Sequence, residues 1–310
     1  MRAFSETELL LELEPVVAGE LDRHHKVAKE WFPHEYVPWS EGRNYDGLYG
    51  GDAWVETDTK IPEEARISLI VNLLTEDNLP SYHHEIATTL GRDAAWGTWV
   101  HRWTAEEGRH GTAIRDYLTV TRAVDPVALE RARMVHMSEG FTNSYEGVLA
   151  SVAYVSFQEL ATRISHRNTG RASEDPNCER LLARIAADEN LHMLFYRNLL
   201  NAAFQLTPDQ TMRAVTDVVT TFQMPGTGIE GFTRKAMTIA NAGIYDLRLH
   251  IDDVLQPVLR QWDVANMKNL GPEGEKAREE LYDFLDRLET TASRFVERRE
   301  ARRARQAANS

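Results

Sequence analysis

Two short segments of this chain repeat one pattern, and that pattern dictates the scaffold around it. Ala105-Glu106-Glu107-Gly108-Arg109-His110 and Ala187-Asp188-Glu189-Asn190-Leu191-His192 both read Ala, acid, Glu, x, x, His. On an α-helix, residues i and i+3 share a face. Each segment therefore aims one carboxylate and one imidazole at a single point. Carboxylate oxygen with imidazole nitrogen suits iron or manganese better than a thiolate site would. One Glu-x-x-His from each of two helices, with a single Glu from each of two others, is the ligand pattern of di-iron carboxylate bundles. The spacing alone is a weak signal, but the shared Ala-acid prefix makes coincidence a poor account of it.

The rest of the chain agrees on helices. Apolar periodicity predicts them at about 6–30, 62–90, 93–121, 126–140, 142–169, 176–203, 207–223, 229–264 and 272–303. Asp93, Asp125, Thr142 and Thr207 are the expected N-caps, and Pro126 and Pro208 fall where a helix start tolerates proline. No strand alternation appears. Residues 40–59, rich in Gly, Tyr and Asp, read as a connector in preference to a lid. The arginine-rich tail, 294–310, reads as a solvated helix fraying towards Ser310. The expectation is one all-α domain over 1–310: a ferritin-like di-iron four-helix bundle, with core helices at about 62–203, extended by additional helices.

Two single glutamates must complete the set. Glu159 follows the apolar run Val148-Leu-Ala-Ser-Val-Ala-Tyr-Val-Ser-Phe157, where an unpaired carboxylate is costly to bury. Glu76 follows Ile67-Ser-Leu-Ile-Val-Asn-Leu-Leu74 and precedes Pro80, which disturbs the carbonyl at 76 and permits a local distortion. The expected metal set is thus Glu76, Glu107, His110, Glu159, Glu189 and His192. Its order suits four antiparallel helices with pseudo-twofold symmetry. That symmetry predicts that Asp188 accepts from His110 and Glu106 from His192, since a metal-bound imidazole donates its free N–H to a carboxylate. Thr162, three residues after Glu159, is expected to face the metals and assist proton delivery, against the plainer reading of a hydroxyl bonded to its own helix. His166 either lines the site or satisfies a buried hydrogen bond. His24, His25, His83 and His84 read as helix-surface residues.

The bulk numbers set limits. A net charge of -13 on 310 residues argues against non-specific nucleic-acid or anionic-membrane binding. No apolar run approaches the roughly twenty residues a spanning helix needs. The acidic N-terminal segment does not read as a signal peptide, and the single Cys178 suits a reducing compartment. The expectation is a cytoplasmic protein.

The sequence resembles the soluble acyl-acyl-carrier-protein desaturases, the group that includes plant stearoyl-carrier-protein desaturase and its actinobacterial relatives. The stretches that carry the likeness are Thr75-Glu-Asp-Asn-Leu-Pro-Ser-Tyr82, Trp103-Thr-Ala-Glu-Glu-Gly-Arg-His-Gly111, Ser156-Phe-Gln-Glu-Leu-Ala-Thr-Arg-Ile-Ser-His166 and Ala186-Ala-Asp-Glu-Asn-Leu-His192. Arg260-Gln-Trp and Gly271-Pro-Glu-Gly-Glu match more weakly. The family's six metal ligands fall on the six residues named above. The resemblance implies two iron ions, an acyl chain carried on acyl carrier protein as substrate, a ferredoxin-type reductant, a homodimer and a cis double bond as product. It also points to Trp31 as an aromatic on the electron route. The short connection around Leu90-Gly-Arg-Asp93, the 40–59 loop and the basic tail depart from the plant pattern, so chain length, double-bond position and carrier docking stay open.

Unactivated C–H bonds require a strong oxidant, which a di-iron site supplies from dioxygen. The competing readings on this scaffold are an oxygenase or N-oxygenase, an iron-storage protein, and a radical-generating reductase subunit with Tyr196 as its tyrosine. Because carrier proteins are acidic and this chain is acidic too, docking calls for a local basic patch. Lys26, Lys29, Arg234 and Lys235 are the sequence candidates.

Overall fold

The computed structural model describes residues 3–142 and 144–308. Helices α1 (Glu6–Val27), α2 (Glu63–Asp77), α3 (Leu79–Leu90), α4 (Ala94–Val120), α5 (Pro126–Glu139), α6 (Val148–Ala172), α7 (Pro176–Leu206), α8 (Pro208–Thr221) and α9 (Phe232–Ala242) follow in order. A helical stretch then runs through α10 (Leu247–Leu249), a π-helix (His250–Leu255) and α11 (Gln256–Gln261), before the long α12 (Pro272–Ala308). Among the described residues the only β pairing is one isolated bridge, Tyr45 to Asp52.

Helix starts follow local chemistry. Ser5 and Glu8 form a reciprocal capping box on α1. Asp125 and Asp175 cap α5 and α7, accepting from Val127 N and Asn177 N at 2.9 Å each, with proline at the first turn of both. Three of the four expected caps fail. Asp93 and Thr207 make no side-chain cap bond. Thr142 caps nothing, because α6 begins at Val148, where Glu6 of α1 accepts from Val148 N at 2.6 Å. Two predicted long helices are broken. The first divides at Asn78, two residues beyond Glu76, because Pro80 cannot donate to the carbonyl at 76. The second divides at Gly243, whose φ of 81° ends α9 in the left-handed region.

Helices α2, α4, α6 and α7 form the bundle, with α6 and α7 in the longest contact. Helix α1 lies across α4 and α7, α5 and α9 pack on α2, and α8 with the π-helix covers α6, backed by α12. Two apolar clusters fill the interior. One holds Trp99, Trp103, Phe157 and Phe195; the other holds Leu69, Ile114, Tyr117 and Ile185. Along α4 and α7 the repeated motifs fall between them, so a buried polar layer is clamped from both sides. Trp99 stacks on Phe195 at 3.6 Å between centroids; truncating such a buried aromatic costs about 3–5 kcal/mol.

The 40–59 segment is tied down. Arg122 at the end of α4 donates to Asp52 O (3.1 Å), Ala53 O (3.0 Å) and Asp58 Oδ2 (2.9 Å), and Trp54 Nε1 donates back to Arg122 O at 3.0 Å. It behaves as a connector. The basic tail is less solvated than expected: Arg299 reaches Ala240 O at 2.9 Å and pairs with Asp246, and Arg303 donates to Asn241 O at 2.6 Å. The fraying end at Ser310 lies outside the described residues.

Candidate metal centre

Six buried side chains from the four bundle helices converge in two groups. Glu76, Glu107, His110 and Glu189 form one, and Glu107, Glu159, Glu189 and His192 the other, the ligand atoms of each lying within 4.8 Å of one another. Glu107 and Glu189 belong to both. The i, i+3 spacing explains the pairing within α4 and α7, and the antiparallel bundle brings the two pairs face to face. His192 Nδ1 stands 2.7 Å from Glu107 Oε1 and 3.6 Å from Glu159 Oε2. His110 Nδ1 stands 3.4 Å from Glu107 Oε2 and 3.5 Å from Glu189 Oε1.

The inward-facing atoms make no well-aligned hydrogen bond, even where His192 Nδ1 and Glu107 Oε1 approach to 2.7 Å. Glu107 Oε1, Glu159 Oε2, both oxygens of Glu189 and the Nδ1 atoms of His110 and His192 are buried without one. Buried polar atoms are ordinarily paired, so an orphaned set of oxygens and imidazole nitrogens facing one another fits a bound cation. The electrostatics agree. Burial, reinforced by Glu189 and Glu107, pushes Glu159 well above the usual carboxylate range. Burial pushes Glu76 up to about 8 against the pull of His166. Burial opposes the charge on His110 and His192, yet the carboxylates around them raise both well above an ordinary imidazole. Without a cation the layer holds excess negative charge that protons must neutralise.

The opposite ring nitrogens meet the acids that precede each ligand glutamate. Asp188 Oδ2 lies 3.4 Å from His110 Nε2, and Glu106 Oε2 lies 2.8 Å from His192 Nε2. With Nδ1 turned to the carboxylates, Nε2 is the protonated nitrogen and the acids accept. Asp188 also accepts from Trp31 Nε1 at 2.7 Å and Arg109 Nη2 at 3.0 Å, and pairs with Arg184. Burial opposes ionisation of Asp188, but His110, Trp31 and Arg184 hold it down to about 2. Trp31 is buried, with its ring stacked on His110 at 6.4 Å and 17°.

His24 overturns its sequence reading. It is fully buried, with Nε2 3.3 Å from Glu106 Oε1 and its ring stacked on His192 at 5.9 Å. His25 and His84 are exposed as expected; His83 is half-buried, with Nδ1 2.8 Å from Thr104 Oγ1. The apolar positions Leu9, Leu13, Val17 and Leu21 of α1 put His24, three residues on, in register with the buried face and leave His25 off it, a period that would have separated the two. His166 is buried, with Nε2 3.2 Å from Glu76 Oε1 and Nδ1 3.3 Å from Asn72 Nδ2. Trp103 Nε1 donates to Glu159 Oε1 at 2.9 Å, a contact the sequence did not suggest. The Thr162 hydroxyl donates to Gln158 O (3.1 Å) and Glu159 O (3.0 Å), its own helix. Tyr196 is buried against Trp99 and Phe195.

Two cavities flank this layer and share Thr75 and Glu76. The larger, about 470 Å³, has Thr162 and His166 in its wall beside Glu76 and continues between Phe222, Ile239 and Phe284. The smaller, about 50 Å³, ends against Tyr82, Ile86, Trp103 and Phe141. Among the described residues, no helix is long and apolar enough to cross a membrane.

A four-helix bundle carrying two carboxylate–imidazole groups joined by shared glutamates, each able to hold a metal ion, beside an apolar cavity, has the ferritin-like architecture. Comparisons narrow the class. The profile described as "Fatty acid desaturase" matches residues 5–310. A proposed acyl-[acyl-carrier-protein] desaturase of Mycobacterium tuberculosis, DesA1, is 50% identical over 299 residues, covering 94% of this chain and 88% of its own. The chloroplastic stearoyl-[acyl-carrier-protein] 9-desaturase 5 of Oryza sativa subsp. japonica is 31% identical, covering 89% and 74%. The X-ray structure of a second proposed M. tuberculosis acyl-ACP desaturase, DesA2, superposes with a TM-score of 0.71 at 30% identity, covering 87% of this chain and 98% of that one. This chain belongs to the fatty acid desaturase family.

Proposed function

We propose that this protein is a dioxygen-dependent desaturase that places a cis double bond in a saturated acyl chain carried on acyl carrier protein. The observation that carries the reading is the position of the larger cavity, which brings an apolar channel against Glu76, a member of the candidate metal set. Glu76, Glu107 and His110 would hold one ion, Glu159 and His192 the other, and Glu107 and Glu189 would serve both. Two ferrous ions there supply, from dioxygen, the oxidising power that an unactivated C–H bond requires. In the net reaction dioxygen takes two hydrogens from the chain, and two electrons and two protons from outside, and leaves as two waters.

The chain's own groups do the rest. Phe222, Ile239 and Phe284 seat the acyl chain and exclude water. Glu106 and Asp188 fix the tautomer and orientation of the two imidazoles. Thr162, whose hydroxyl donates to the backbone carbonyls of Gln158 and Glu159 and whose side chain lines the cavity, would assist by accepting a proton on its oxygen. Trp31 would carry electrons from a ferredoxin-type donor, a reading supported by its hydrogen bond to Asp188 and its stacking on His110. The single buried cysteine suits the cytoplasm. A homodimer accords with the family resemblance.

The test is product analysis. Iron-loaded protein, given reductant, dioxygen and acyl carrier protein bearing a saturated chain, should yield the monounsaturated acyl group by mass spectrometry. Hydroxylated product would instead establish an oxygenase. Glu107→Ala or Glu189→Ala should lose iron and turnover; two irons per chain with normal activity in either would refute the ligand assignment.

A further inference from the structure

His250 opens the π-helix, and its ring lines the larger cavity while Ile251, Val254 and Leu255 of the same stretch are buried in the interior. Single π turns are irregularities concentrated at functional sites. The ring is held on two sides. Phe222, another cavity residue, stacks on it at 4.9 Å and 30°, and Tyr245 Oη lies 2.8 Å from its Nδ1. Burial pushes the imidazole down to about 4, so at neutral pH it is uncharged and carries one N–H.

Tyr245 decides which nitrogen carries that proton. Burial keeps the phenol protonated, and His250 Nδ1 is its hydrogen-bond partner among the described residues. A buried hydroxyl that donates to nothing is costly. The phenol therefore donates, Nδ1 accepts, and the imidazole proton sits on Nε2. Nε2 meets no acceptor among the described residues, and it is not sealed in the packing either. An N–H donor thus opens to the cavity. Several other polar side chains of that wall are committed. Asn72, Ser165 and His166 bond to one another and to Glu76, and Asp246 pairs with Arg299 and accepts from Leu249 N at 2.9 Å.

We propose that the Nε2–H of His250 anchors the carbonyl oxygen at the head of the acyl substrate. The proposal rests on the acyl-carrier reading above and assigns the head-group contact within it. A saturated chain offers no acceptor. The thioester carbonyl that joins it to the carrier does, and it is the first polar atom met from the methyl end. The smaller lobe ends against Tyr82, so the methyl end fits there and the carbonyl end falls in the larger lobe, where His250 stands. An uncharged donor suits an uncharged acceptor, because neither partner brings the desolvation cost of an ion. Phe222 and Tyr245 hold the ring in place, so little side-chain freedom is lost when the bond forms.

Equilibrium binding to the oxidised, iron-loaded enzyme, without reductant, tests the carbonyl separately from the rest of the substrate. The two probes are acyl carrier protein bearing a palmitoyl thioester and the same carrier bearing the S-hexadecyl thioether, which lacks only that oxygen. Wild-type protein should bind the thioester about tenfold more tightly. His250→Phe, which keeps the stack on Phe222, should bind both alike. His250→Gln, whose amide can place an N–H where Nε2 stands, should keep most of the preference. Tyr245→Phe releases the tautomer and should lose part of it, and this variant carries the test if His250→Phe does not fold. Equal binding of the two probes by wild type, or an undiminished preference in the His250→Phe and Tyr245→Phe variants, overturns the anchor while leaving the desaturase reading intact. Affinity lost equally for both probes in His250→Phe would move the contact to the amides of the carrier's pantetheine arm and overturn the thioester assignment. Wild-type protein that binds neither loaded carrier overturns both readings.

Discussion

His24 and His192 share one carboxylate: Glu106 Oε2 lies 3.1 Å from His24 Nε2 and 2.8 Å from His192 Nε2. The other half of the site has no equivalent. There Asp188 is shared between His110, an indole and two guanidinium groups. The two candidate ion positions therefore have unequal surroundings, although their ligands are nearly symmetric. His24→Leu should leave Glu106 with His192 and Arg102 and lower affinity for the second of two iron ions several-fold, a milder loss than the 10–100-fold typical when an outer carboxylate is removed. Stepwise iron titration, read optically, measures this. Identical binding curves for variant and wild type would remove His24 from any role at the site.

Glu76 gives the metal-free protein a pH signature. Its carboxyl is pushed up to about 8 by burial, against 4.5 for a free one. Between those values the native state keeps a proton that the unfolded chain has released, so stability falls as pH rises through that window. Thermal unfolding of iron-free protein should show a lower Tm at pH 8 than at pH 5, and Glu76→Gln should flatten the trend. Iron reverses the sign, because ligands bind deprotonated and affinity grows with pH. A Glu76→Gln protein with the wild-type pH slope would contradict this account.

Trp31 tests the electron route. Its indole N–H donates to Asp188 at 2.7 Å and Arg109 sits over its ring at 4.5 Å. Trp31→Phe keeps the packing and deletes the donor. Stopped-flow reduction by ferredoxin should slow several-fold with iron content unchanged. Wild-type reduction kinetics would leave Trp31 as a packing residue.

The unequal cavities bear on where the double bond falls. Only about 50 Å³ lies on the Tyr82 side of Glu76, against about 470 Å³ on the other. Tyr82 is packed on Phe141 at 4.9 Å, and its buried hydroxyl has no hydrogen-bond partner. Tyr82→Leu should enlarge the small lobe and shift the products towards longer segments beyond the double bond, as gas chromatography with mass spectrometry of cleaved products would show. Tyr82→Phe should match the wild type. An unaltered product profile in Tyr82→Leu would mean that another wall sets the limit.

The local features were legible because helix geometry is fixed before tertiary structure forms. An i, i+3 spacing puts Glu107 with His110 and Glu189 with His192 on any α-helix, and a proline at 80 weakens the turn after Glu76 wherever that helix packs. The bundle class and four of the six converging side chains follow from such spacings, while Glu76 and Glu159 were marked by the apolar runs that precede them. What depended on neighbours was not legible. His24 continues the inward face marked by Leu9, Leu13, Val17 and Leu21, but only the seating of α1 across α4 and α7 decides that this face meets Glu106 and His192. Thr142 had the chemistry of a cap, but the contact of Glu6 with Val148 N sets the start of α6 later. The sequence alone determined which side chains share a helix face, since that is a property of the backbone. The tertiary structure alone decided which faces are covered, and by what, because burial and charge balance belong to pairs of elements that the chain brings together only when it folds.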